Sequence, residues 1–122
     1  MKLYLAGPMR NLPNFNFPAF DYAAERLRAS GFEVFSPAER DRRVHGTLLE
    51  ANATGSEDVA AKTVGFSLRE ALGADTAWIA QHADGIAMLP GWEKSSGSNA
   101  ELALARALGL TVIFLGKEFV NV

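Results

Sequence analysis

Cysteine is absent from the 122 residues, and with it go disulfides, a thiol nucleophile and any thiolate metal site. Histidine is scarce: His45 and His82 lack the paired spacing of a zinc motif, so no metal is expected. Long basic runs are missing as well. With a net charge of −2, the chain lacks the electrostatic footprint of a nucleic-acid binder. No apolar run approaches the ~20 residues of a membrane span, and the short N-terminal one carries no signal-peptide cleavage pattern. The expectation is a cytoplasmic protein with neither nucleic acid nor membrane as partner. What remains, 48% hydrophobic and 21% charged residues, fits one globular domain over residues 1–122 with a core of its own.

Short apolar runs alternate with helical periodicity. Leu3-Tyr4-Leu5-Ala6, bounded by Gly7-Pro8, reads as a strand buried on both faces. Residues 18–30 follow at helical spacing and stop at Gly31. Phe32–Phe35 is a second strand, and Ser36-Pro37 starts a helix. A helix over 67–81 buries Leu68, Leu72 and Ile79 and carries Asp75; Asp84 then opens a third strand, Gly85–Leu89. A helix over 99–108 leads into a fourth strand, Leu110–Leu115, and the tail adds a short edge strand. Residues 40–65 are read as a lid or subunit-contact segment, its cluster of Arg40, Arg42, Arg43 and His45 being either a solvated face or an anion site. The alternation predicts an α/β, flavodoxin-like or Rossmann-like three-layer sandwich with a four- to five-stranded parallel sheet. An order of 2-1-3-4 sets strands one and three side by side, and ligands bind beyond the carboxyl ends at such a switch point.

Two turns meet there, Gly7–Arg10 and Pro90–Ser98. The second is Gly/Ser-rich and runs into a helix, where backbone N–H groups and the helix dipole favour an anion. Glu101 stands in the first turn of the expected helix, in line with Leu104, Ala105 and Leu108. Ser98-x-x-Glu101 also reads as a capping box, like Ser36-x-x-Glu39 and Ser67-x-x-Glu70. Spacing alone leaves cap and functional carboxylate both open.

The run Leu3–Met9, together with Asp75, Ala83-Asp84 and Ser95-Ser96-Gly97-Ser98-Asn99-Ala100-Glu101, resembles the nucleoside 2-deoxyribosyltransferase superfamily. Asn14–Phe20 and the Leu89-Pro90-Gly91-Trp92 turn look like a smaller branch of bacteria and phages, the DUF4406 type. The resemblance spans the chain except residues 40–65. It implies that Glu101 attacks, or stabilises, the anomeric carbon of a sugar while its base leaves. It implies Asp75 as the acid or base-orienting group and Tyr4 as the holder of the Glu101 carboxylate. As bare residues, Asp75 also reads as a surface or capping carboxylate and Tyr4 as a core aromatic.

Transferases using free nucleosides carry an acid six positions before the Glu. Here Ser95 stands there, as in the related 2'-deoxynucleoside 5'-phosphate N-hydrolases, which also match Arg10. Removing an acid and adding a guanidinium suits a phosphate. The resemblance thus implies a sugar-phosphate pocket of Gly7, Pro8, Met9, Arg10, Asp84, Ser95, Gly97 and Ser98. Trp92 either stacks on the base or covers the loop. No cofactor is implied. The partner is a small nucleoside or nucleotide, and hydrolysis or transfer of its N-glycosidic bond is the expected reaction; a non-catalytic nucleotide-binding or sequestering protein is the rival. The helix after Glu101 is apolar nearly all round, which predicts a homo-oligomer, at least a dimer.

Overall fold

The structure, a computed structural model, describes residues 1–46 and 51–120. Its centre is a parallel sheet of β1 (Lys2–Ala6), β2 (Glu33–Phe35), β3 (Gly85–Met88) and β4 (Thr111–Phe114), in the order β2-β1-β3-β4. The expected order and switch point are both present. Four strands form among the described residues, and no fifth follows. Beyond β4 the backbone bonds locally, Phe119 N–H to the Gly116 carbonyl and Val120 N–H to that of Lys117, both at 3.1 Å, so the tail closes a 3-10 turn over Lys117–Phe119.

The period of two along β1 and β3 feeds two cores. Leu3, Leu5, Ala87 and Leu89 pack on one side against α1 (Phe17–Ala29), through Phe17, Phe20, Ala23, Ala24 and Leu27. Tyr4, Ala6, Ile86 and Met88 face the other side, against Ile79 of α4 (Leu68–His82) and Leu102 and Ala105 of α5 (Ser96–Ala107). From β1 the chain winds outward to β2 with α1 on one face. It then reverses to β3 and β4, which puts α4 and α5 on the opposite face, as right-handed crossovers require. The result is the three-layer α/β sandwich. No helix among the described residues is long and apolar enough to cross a membrane.

The segment 40–65 holds the last turns of α2 (Pro37–His45) and α3 (Glu57–Val64); its residues 47–50 lie outside the described residues. Most of the basic cluster is tied into the chain. Arg40 reaches Asp41 at 3.2 Å and Glu70 at 3.1 Å. Arg42 reaches Asp21 at 3.0 Å and lies over the Phe17 ring. Arg43 stays exposed.

The loop before α3 is stitched to the loop after β1. Asn11 N–H donates to the Gly55 carbonyl and Asn14 N–H to that of Asn52, both at 2.8 Å. Asn14, Phe15 and Asn16 form a left-handed turn, with φ of 57, 52 and 59°. Such a run costs roughly 1–2 kcal/mol per residue. Burial of Phe15 against Phe17 and Phe66 and a 2.9 Å bond from the Asn16 amide to the Pro8 carbonyl oppose that cost.

Gly55 has φ +70°, and a Cβ there would overlap the Leu12 carbonyl. Gly55→Ala is therefore expected to lose at least ~2 kcal/mol, from left-handed strain plus the displaced contact. Thermal denaturation reads this as a drop of about 6 °C or more; an unchanged melting temperature would mean that the two loops are not docked.

Candidate active site

Because Tyr4 is the even residue of β1 that faces α4 and α5, its ring lies fully buried between them and its hydroxyl stops under α5. There it donates to Glu101 Oε2 at 2.6 Å, a buried bond joining residues 97 positions apart. Phe35 stacks on the ring at 5.7 Å, and Trp78 lies tilted against it at 6.4 Å.

The capping reading of Glu101 fails because α5 starts earlier than expected. Ser95 is the N-cap, and its hydroxyl accepts from Ser98 N–H at 3.2 Å. Asn99 fixes this start by donating to the carbonyls of Glu93 and Ser95. Glu101 thus sits in the second turn, beyond reach of the cap. The other two boxes also fail to close. Glu39 forks onto Arg28, while the Ser67 hydroxyl does accept from Glu70 N–H but the Glu70 carboxylate goes to Arg40.

Asp75 is neither surface nor cap. It lies in the buried stripe of α4, Ala71-Asp75-Ile79, and its Oδ1 has no hydrogen-bond partner. Leu68 and Leu72, expected on that buried side, are half-buried and line the pocket instead. A third carboxylate joins from α2: Asp41, 3% exposed.

These three carboxyl groups share one poorly solvated wall. Burial pushes Glu101 up to about 8, with Asp75 and Asp41 adding repulsion and the Tyr4 hydroxyl opposing it. Burial likewise raises Asp75 to about 7, aided by Asp41 and opposed by Tyr4 and Arg40. Asp41 rises to about 6, chiefly by burial, with Arg40 pulling the other way. The Tyr4 phenol is held well above its ordinary range by burial and by Glu101 and Asp75, so it stays a proton donor. Carboxyls that titrate near neutrality are what proton transfer at physiological pH needs.

They face a cleft with about 660 Å³ of empty space, counted to its open mouth. Gly7, Met9, Arg10, Ser95, Gly97 and Ser98 line it together with Tyr4, Asp75 and Glu101, as expected. A Cβ on Gly97 would meet nothing nearer than Ser95 Oγ at 4.0 Å, so glycine there leaves the pocket wall open. Arg10 donates to Glu57 Oε2 and to Ser96 Oγ, each at 3.0 Å. Phe15 and Phe66, their rings 5.9 Å apart, supply an apolar wall. No group of three or more His, Cys, Asp or Glu among the described residues is arranged to hold a metal ion.

Three expected pocket residues lie elsewhere. Asp84 accepts from Lys2 N–H at 2.8 Å, at the amino ends of the strands. With ~3.3 Å per strand residue, the four residues of β3 put it about 13 Å from the carboxyl ends. Trp92 packs on Phe114, ring centroids 5.6 Å apart, and does not line the cleft. Pro8 borders an adjoining groove with Pro90 and Gly91, which shares Met9, Arg10 and Ser95 with the cleft. Sequence reasoning missed Asp41, Glu57, Phe15 and Phe66. For Asp41 a signal existed, since it falls three and four residues after the buried Ala38 and Pro37 of α2. For the others none did: their approach depends on a left-handed turn and on loops meeting.

Residues 1–114 match the family described as domain of unknown function (DUF4406), and the chain belongs to that family. No curated protein and no solved structure matches it.

Glu101 titrates higher folded than unfolded, so the native state binds the extra proton between pH ~4 and ~8, and stability falls as pH rises through that window. Glu101→Gln keeps an acceptor for Tyr4 without the charge. Its melting temperature is expected to match wild type near pH 5 and to exceed it by several degrees at pH 9. Equal curves at both pH values would mean that Glu101 is solvated.

Proposed function

We propose that this DUF4406 chain breaks the N-glycosidic bond of a nucleoside or nucleoside 5'-monophosphate through Glu101. One observation carries the reading: a buried tyrosine donates a 2.6 Å hydrogen bond to a buried carboxylate that lines the cleft beside a second, whose Oδ1 has no hydrogen-bond partner. Carboxylate pairs of this kind perform glycosyl transfer by nucleophile and acid.

In the proposed reaction a Glu101 oxygen bonds to the anomeric carbon as the bond from that carbon to the base nitrogen breaks. Asp75, protonated, gives its proton to the departing nitrogen. Water then attacks the same carbon; Asp75 takes the water's proton and Glu101 leaves as carboxylate. One water is consumed and one neutral base released, and a second base in place of water gives transfer. Positive charge developing at the anomeric carbon favours the Glu101 anion, so the shared proton moves to Asp75 as the bond weakens. Tyr4 acts throughout as the positioning donor. The cleft's lining suits such a ligand, combining the polar Arg10 and α5 corner with the apolar Phe15–Phe66 wall.

The outer side of α5 leaves Ala103, Ala107 and Leu108 exposed, and Phe114 of the edge strand is 54% exposed beside Trp92. This apolar face supports the proposal of a dimer. Sedimentation at micromolar concentration is expected to give at least twice the chain mass, and a monomer would refute that part.

Incubation with a panel of nucleosides and their 5'-monophosphates, followed by chromatography, is expected to release free base. Glu101→Gln should cut the rate by more than ~10³-fold and Asp75→Asn by ~10²–10⁴-fold. Ligand binding without base release from any member would instead support the sequestering reading.

A further inference from the structure

We propose that Glu57 decides what the pocket accepts at the sugar's fifth carbon: paired with Arg10 it fits the entrance to a neutral hydroxyl and opposes a phosphate. The inference rests on the N-glycosidic reading and goes beyond it, to the substrate class.

The corner has the makings of an anion site. The first N–H groups of α5, a twelve-residue helix, have no carbonyl partner within it. Gly97 adds no side chain over them. Ser98 Oγ, 1% exposed, lines the cleft without a hydrogen-bond partner. Arg10 reaches in from the turn after β1.

Yet the chain brings its own carboxylate. Arg10 donates from Nη1 to Glu57 and from Nη2 to Ser96, so the guanidinium charge at the entrance already faces a carboxylate. Glu57 is held there by construction. It is the first residue of α3, the Ser56 side chain caps that helix, and the preceding loop is bonded to the turn after β1. A hydroxyl set beside the pair can accept from a free Arg10 N–H and donate to Glu57 with one group. A phosphate dianion has nothing to donate and would stand against the carboxylate. The acid missing at Ser95 is in this way supplied by a different element. The pair is accessible, with side chains 42% and 35% exposed, so solvent screens the attraction between them. A phosphate can displace Glu57, but only against that opposition.

Calorimetric titration of wild type and Glu57→Gln with the four 2'-deoxynucleosides, their 5'-monophosphates and inorganic phosphate tests this. Monophosphates and phosphate should bind the variant about tenfold more tightly, while nucleosides gain nothing. Unchanged or weaker monophosphate binding, an equal gain for nucleosides, or no phosphate binding by either protein would overturn the proposal. Base release from the same mixtures reads the underlying reaction separately: a phosphate gain without free base would sink that reaction and leave the role of Glu57 standing.

Discussion

The bond from Tyr4 to Glu101 is the constraint that organises this molecule. A carboxylate drawn out of water is costly unless something donates to it, and a buried phenol is costly unless something accepts. Each answers the other's need across 97 residues. The bond works only if β1 presents its even residues to α5, if β1 and β3 are neighbours, and if α5 begins at Ser95 so that residue 101 turns inward. Strand alternation, sheet order and helix register therefore converge on one interaction at the switch point.

Around it the chain builds a wall that withholds solvent from three carboxyl groups. Phe35 and Trp78 close off the Tyr4 ring, and Phe15 and Phe66 close the outer side. The left-handed Asn14–Asn16 turn and its bonds to the 52–56 loop hold Phe15 in that position. The same burial that keeps water out raises Glu101, Asp75 and Asp41 toward neutrality. Exclusion of water and proton affinity are two consequences of one arrangement, with Arg40 as the cation that limits how far Asp41 and Asp75 rise.

The sheet and its order were legible because both-face burial writes unbroken apolar runs and right-handed crossovers leave few arrangements. Tyr4, Asp75 and Glu101 were legible through their resemblance to a family's motif; their spacing alone allowed caps and core. The start of α5 was misjudged by three residues because Ser95, Ser96 and Ser98 all have cap chemistry, and the side chain of Asn99, invisible to periodicity, decides among them. Asp84 was misplaced although the sequence itself sets it at the start of the third strand, and so at the amino end of a parallel sheet, away from the ligand side; its neighbour Gly85 pairs with Leu3. Glu57 and Phe15 enter the cleft through loop docking and positive φ, which leave no repeating trace in a sequence.

The central claim is that Glu101 is a nucleophile and not just a buried acid. Rapid acid quench of the wild-type chain with a 2'-deoxynucleoside or its 5'-monophosphate, followed by peptide mass spectrometry, tests it most directly. The account predicts a sugar, or sugar phosphate, esterified on the peptide carrying Glu101 and absent from Glu101→Gln. Base released with no such adduct, or with the sugar on another residue, would contradict it.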